Sequence, residues 1–131
     1  MTSQSFRNLI AWQKAHAFVL DIYRLTDAFP NREMYALTKQ IRRSAVSIPA
    51  NIAEGYRKRT NAEKSRFFDI ALGSLEETRY YLILANDLSY AITTNAQESI
   101  DEVGRVLYSY NRAVRQNIGK EKQGWESGVK F

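Results

Sequence analysis

The chain of 131 residues is 44% hydrophobic, 12% aromatic and 25% charged, which suits one soluble globular domain and argues against disorder. It contains no cysteine and one histidine, His16, which excludes thiol catalysis, disulfides and thiolate metal sites and leaves any metal centre with one imidazole plus carboxylates. The net charge of +5 is unevenly placed: residues 39–66 hold eight bases against two acids, a net +6, while the rest holds 11 bases and 12 acids, a net −1.

Apolar periodicity predicts four helices and no strand. The first, about 8–28, carries two stripes: Leu9, Trp12, His16, Val19 and Tyr23, and Ala15, Phe18, Ile22 and Leu25. Two stripes on one helix imply burial on more than one side. Phe29-Pro30 ends it, because the residue before proline is driven out of the helical region. The second, about 33–58, has a core face of Leu37, Ile41, Ala45, Ile48 and Ile52. Pro49 lies inside this pattern and removes the hydrogen bond to the Ala45 carbonyl. It either kinks one helix or divides two, and Ser44 and Ser47 are placed to help with the freed groups.

Thr60-Asn61-Ala62-Glu63 reads as a capping box opening the third helix, about 60–88. Its stripes are Phe67, Ala71, Ser74, Thr78 and Ala85, and Phe68, Leu72, Leu75 and Leu82. Gly73-Ser74 offers a small spot where another helix can approach. A second capping box, Thr94 to Gln97, opens the fourth helix, about 94–118, with the stripe Ile100, Val103, Leu107, Tyr110, Val114 and Ile118. Residues 1–118 thus form the bundle. Three glycines among charges make 119–131 a flexible tail, whose Trp125 either docks on a neighbour or belongs to a variable end. Short linkers between long helices predict an all-α, up-down-up-down antiparallel four-helix bundle. The longest apolar run, Tyr80 to Ala85, is far shorter than the roughly 20 residues a bilayer requires, so no membrane role and a cytoplasmic location are expected.

The basic stretch is the candidate site. Arg42 and Arg43 are adjacent on the second helix; Arg57, Lys58 and Arg59 lie at its end; Lys64 and Arg66 open the third. With a continuous second helix, the last five share one pole. One reading is electrostatic, salt-sensitive binding of RNA or DNA backbone. The other is a solvated helix end whose bases pair with Glu54, Glu63 or Asp69 and suit the helix dipole. No base-reading motif, glycine-rich phosphate loop or Gly-x-Ser-x-Gly elbow occurs. His16 follows Gln13 rather than a glutamate, so a Glu-x-x-His di-iron motif fails and a hydrogen-bonded histidine at the core edge is expected. The reading is therefore non-enzymatic, with no catalytic residue, metal or cofactor. Glu54, two residues after Ile52, is placed near the core, where it needs an arginine across the bundle or across a subunit boundary unless it serves a site. Tyr80, Tyr81, Ile83, Leu84 and Tyr90 make the third helix apolar around much of its girth. Added to the doubled stripe of the first, this exceeds one bundle core and points to a homo-oligomer, unless the helices are more buried than the pattern suggests. A protein-docking scaffold with no nucleic-acid role is the alternative function.

Several segments carry a resemblance: Phe6-x-x-Leu9-x-x-Trp12-Gln13-x-Ala15, Phe29-Pro30-x-x-Glu33-x-Tyr35-x-Leu37, and Gln40-Ile41-Arg42-Arg43-Ser44-Ala45-x-Ser47-Ile48-Pro49-Ala50-Asn51-Ile52-Ala53-Glu54-Gly55. Phe67-x-x-Ile70-Ala71-x-Gly73-Ser74-x-x-Glu77 and Ala85-x-x-Leu88 continue it. Over about Phe6 to Ile118 the chain resembles the bacterial four-helix-bundle family named for proteins encoded in intervening sequences of 23S ribosomal RNA genes. Ser47, Pro49, Asn51, Glu54 and Gly55 belong to its most specific stretch, whereas Ala36 and Ser89 stand where glycines are expected. The resemblance implies a left-handed bundle assembled as a ring-like homopentamer. It also implies likeness to the barrel-shaped accessory protein of diversity-generating retroelements, which binds nucleic acid and its reverse transcriptase through a basic surface. The family name describes gene location and does not establish RNA binding.

Overall fold

The computed structural model describes residues 5–118, so the tail expected at 119–131, with Trp125, lies outside the described residues. Those described form four α-helices, α1 (Ile10–Thr26), α2 (Leu37–Tyr56), α3 (Asn61–Asp87) and α4 (Thr94–Gln116), with 3-10 turns at Phe6–Asn8 and Asn31–Glu33 and no strand. Each helix packs on two others, α1 and α3 both on α2 and α4, so the four enclose one core. Phe18, Ile22, Ile41, Ile48, Ile52, Phe68, Leu75, Leu82, Ile100 and Leu107 fill it.

Both stripes of α1 meet this core in part: Leu9 and Val19 of the first are buried, as are Ala15, Phe18 and Ile22 of the second. Within the first stripe Trp12 is half-buried against the core, while His16 and Tyr23 are exposed. The expected burial on two sides thus holds for part of the first stripe, whose remaining residues form an outer aromatic edge. There His16 stacks on Trp12, ring centroids 4.9 Å apart, instead of sitting hydrogen-bonded at the core edge. α2 begins at Leu37, four residues later than expected, after the 3-10 turn. The Glu33 carboxylate accepts the Leu37 amide (3.2 Å), satisfying a donor at the helix start.

α2 passes Pro49 without a break. Neither nearby serine serves the Ala45 carbonyl, contrary to expectation. Ser44 donates to the Ile41 carbonyl (3.1 Å), and Ser47 bonds Ser74 of α3 (2.8 Å) and accepts from Asn51 (2.9 Å). With Thr78 donating to Ser44 (2.7 Å), these hydroxyls tie α2 to α3 through short side chains. The tight approach falls at Gly55 and not at the predicted Gly73. A Cβ on Gly55 would lie 2.7 Å from Phe68 Cε1, whereas one on Gly73 would meet nothing within 4 Å.

Thr60 caps α3 as its sequence predicts, accepting the Glu63 amide at 3.1 Å. The second box shifts by one residue. Thr93, not Thr94, precedes α4, and its hydroxyl donates to the Leu82 carbonyl (2.7 Å) while accepting from the Gln97 side chain (2.9 Å). α3 ends with Tyr90 N–H bonded to the Ala85 carbonyl and Ser89 N–H to that of Asn86, a Schellman closure with Ser89 in the left-handed region (φ 61°). A glycine is favoured there for this reason. Tyr90 belongs to the turn, not to the apolar girth of α3. It packs on Phe29 and donates to Glu33 (2.6 Å). That bond, then the Leu37 amide, holds the Glu33 carboxyl below the usual range.

Candidate nucleic-acid interface

The α2–α3 pole is built on two aromatic rings. Tyr56 closes α2, and the Lys64 ammonium, one turn into α3, lies 5.3 Å from the Tyr56 ring and donates to its carbonyl, an orphan acceptor at the helix end. Phe67 carries Lys58 at 4.8 Å and Arg66 at 5.1 Å from its ring. The rings thus gather cations from both helices onto one surface. Arg57 and Arg59, in the turn between them, are exposed and make no ion pair among the described residues. All five sequence-predicted bases of this pole stand together.

Arg42 and Arg43 stand apart from them. At 1.5 Å per residue, Arg43 lies roughly 21 Å along α2 from Arg57. Arg42 is corrected as a free cation. Its guanidinium donates to Thr26 Oγ1 (2.8 Å) and the Tyr23 carbonyl (3.3 Å), pairs with Asp27 (3.0 Å) and lies over the Tyr23 ring at 4.6 Å. It pins the start of α2 to the end of α1. Arg43 is exposed and without an ion pair among the described residues. Glu54 is corrected too. It is exposed and pairs with Lys58, just past the end of α2 (3.7 Å), with no arginine across the bundle among the described residues. Such an exposed i,i+4 pair contributes about 0.3–0.5 kcal/mol. Of the other motif residues, Ser47 and Asn51 hold the α2–α3 seam, Pro49 is buried in it, and Gly55 lets Phe68 approach.

Sequence reasoning missed Arg112 and Arg115, in the last two turns of α4. Arg115 reaches within 4.0 Å of Asp69, and both arginines line a cavity of about 360 Å³ with Asp69, Asn111 and Tyr108. Asn111 bridges the seam, accepting from Ser65 (2.7 Å) and donating to Asp69 (2.8 Å). Their i,i+3 spacing at a helix C-terminus was the available signal. The opposite charge gathers elsewhere: residues 76–102 hold six acids and one base. Among the described residues no three of His, Cys, Asp and Glu gather as a metal ligand set, and no helix is long and apolar enough to cross a membrane.

The sequence of residues 7–109 matches the family model of the 23S rRNA-intervening sequence proteins. The chain belongs to this family. It is similar to a protein of unknown function from the S23 ribosomal protein family of Bacteroides thetaiotaomicron, at 27% identity over 79% of this chain and 96% of that one, with a TM-score of 0.73. Curated proteins give no match. The family match spans the serine–proline–glycine segment of α2 and the whole α2–α3 pole, so the gathered cations lie inside the family's shared region.

Proposed function

We propose that this family member is a non-enzymatic, cytoplasmic homo-oligomer that binds RNA or DNA backbone electrostatically through the α2–α3 pole. One observation carries the reading: Arg57 and Arg59 are exposed and without an ion pair among the described residues, beside Lys58, Lys64 and Arg66. Cations concentrated on one surface attract polyanions, and phosphate contacts of this kind need no base-reading motif.

Assembly strengthens the field, and two features support it. Ile70, Tyr80 and Ile83 on α3, with Leu88 at its C-cap, leave a stripe of large apolar side chains exposed. The acidic 76–102 segment complements the basic 39–66 segment of a second copy, which favours head-to-tail contacts that close into a ring. The up-down-up-down course within each subunit is supported by the pairs Ser47–Ser74 and Ser44–Thr78, in which numbers rise on α2 as they fall on α3. A left-handed, ring-like homopentamer is the assembly the family resemblance favours.

Gel shifts at low and moderate salt, with ribosomal RNA fragments and duplex DNA, test the proposal. Binding at low salt that weakens at moderate salt, and that is lost on charge reversal of Arg57, Lys58 and Arg59, is expected. No binding at low salt, or binding untouched by the reversal, refutes it. The exposed α3 stripe favours the second reading, a scaffold for protein partners, if nucleic acid fails to bind. Solution mass measured with the ultraviolet absorbance ratio of unstripped protein reports assembly and co-purified nucleic acid together.

A further inference from the structure

A second surface answers to the same chemistry with a different geometry. At the start of α2 a groove of about 560 Å³ is lined by the apolar groups of Met34, Tyr35 and Val46 together with the cations of Lys39, Arg42 and Arg43. Tyr35 is 88% exposed, and Met34 and Val46 are also well exposed. Packing within the subunit therefore does not account for this aromatic and aliphatic surface. Arg42 is held in place by Thr26, Asp27 and the Tyr23 ring, so it forms a fixed wall. Lys39 and Arg43 are exposed and without ion pairs among the described residues. Lys39 and Arg43 stand about one helical turn apart on α2, and Tyr35 precedes them in the turn that leads into the helix.

We propose that this groove seats unstacked nucleotides of a single strand: a base lies on the Tyr35 ring against Met34 and Val46, and the flanking phosphates meet Lys39 and Arg43. The proposal rests on the nucleic-acid reading above and deepens it by naming the strand state. A duplex keeps its base faces stacked inside and offers only phosphates, so it has no use for an apolar groove floor. A single strand presents both an alternating charge and a free π-face, which stacks on an aromatic ring for any base. An acidic peptide shares the charge but gains nothing specific from a flat ring open to solvent.

Fluorescence anisotropy at low salt, with labelled oligouridine and a duplex of the same length, tests the groove. Oligouridine binds more tightly than the duplex, Tyr35→Ala weakens oligouridine by about tenfold while leaving duplex binding unchanged, and Tyr35→Phe keeps the stacking. Tyr35 is so exposed that the variant folds, which circular dichroism verifies. Unchanged oligouridine binding in Tyr35→Ala, or a duplex bound as tightly as the strand, overturns the groove. If Arg57→Glu/Arg59→Glu then still abolishes binding, the pole reading survives alone. Wild-type protein that binds no oligonucleotide at low salt ends both proposals. A Tyr35-dependent affinity for an oligoglutamate peptide, with no affinity for oligouridine, gives the groove to an acidic protein partner and ends the single-strand proposal.

Discussion

The turns at the two ends of α3 solve the same local problem in opposite ways. Between α3 and α4 the polar groups are spent internally: Thr93 bonds the Leu82 carbonyl and Gln97, Asn86 accepts the Thr93 amide at 3.0 Å, and Tyr90 donates to Glu33. Between α2 and α3, Thr60 caps the helix and Lys64 closes α2, yet Arg57 and Arg59 remain directed at solvent. A turn that only joins helices has reason to satisfy its groups. One that keeps like charges together, at some repulsive cost, is the arrangement that the proposed phosphate contacts require.

That contrast yields a graded set of expectations. Thr93→Val removes a buried hydroxyl bonded to a backbone carbonyl, and a loss of about 1–3 kcal/mol in urea unfolding is expected. Gly55→Ala sets a methyl against the buried Phe68 ring next to the basic turn. Overpacking of this kind costs roughly 1–3 kcal/mol, partly offset by alanine's helix propensity, so thermal melting should show a net destabilisation. Ser89→Gly relieves the left-handed backbone and should raise stability by about 1 kcal/mol, measured the same way. An unchanged Ser89→Gly melting point would show that the turn stores no strain.

The smallest effect concerns alkaline pH. Burial pushes the Tyr110 hydroxyl up to about 12, so its folded form holds the proton more tightly than its unfolded form, whose pKa is near 10. A raised pKa contributes stability below the unfolded value and loses it as pH climbs through the folded one. Wild-type stability should therefore fall between about pH 10 and pH 12, and Tyr110→Phe should flatten that fall in denaturant titrations. Equal slopes in the two proteins would remove Tyr110 from the account.

Much of the fold is written in local pattern. The periods of α2 and α4 mark their buried faces, and Thr60 marks the start of α3, because each signal acts within one or two turns. What was not legible depended on partners distant in sequence. Both stripes of α1 are apolar, and only the positions of α2 and α4 decide that Leu9 and Val19 are covered while His16 and Tyr23 are not. Gly55 and Gly73 look alike until Phe68 is placed against one of them. Arg42 reads as one more surface base until Thr26 and Asp27, 16 and 15 residues earlier, fold beneath it. Glu54 was drawn inward by its nearness to Ile52, but the helix turns it outward to Lys58. The basic pole was readable because its bases are close together in the chain, whereas the spacing of Arg112 and Arg115 gives no hint that α4 packs them beside Asp69 of α3.

The central claim is that Arg57 and Arg59 are held free to meet phosphates. Its most direct test is the slope of log affinity against log salt for a duplex, in wild-type protein and in Arg57→Glu/Arg59→Glu. Each lost phosphate contact should reduce the steepness by about 0.9, so the variant should bind more weakly with a slope shallower by about two contacts, at unchanged melting temperature. Identical slopes in the two proteins would contradict the claim.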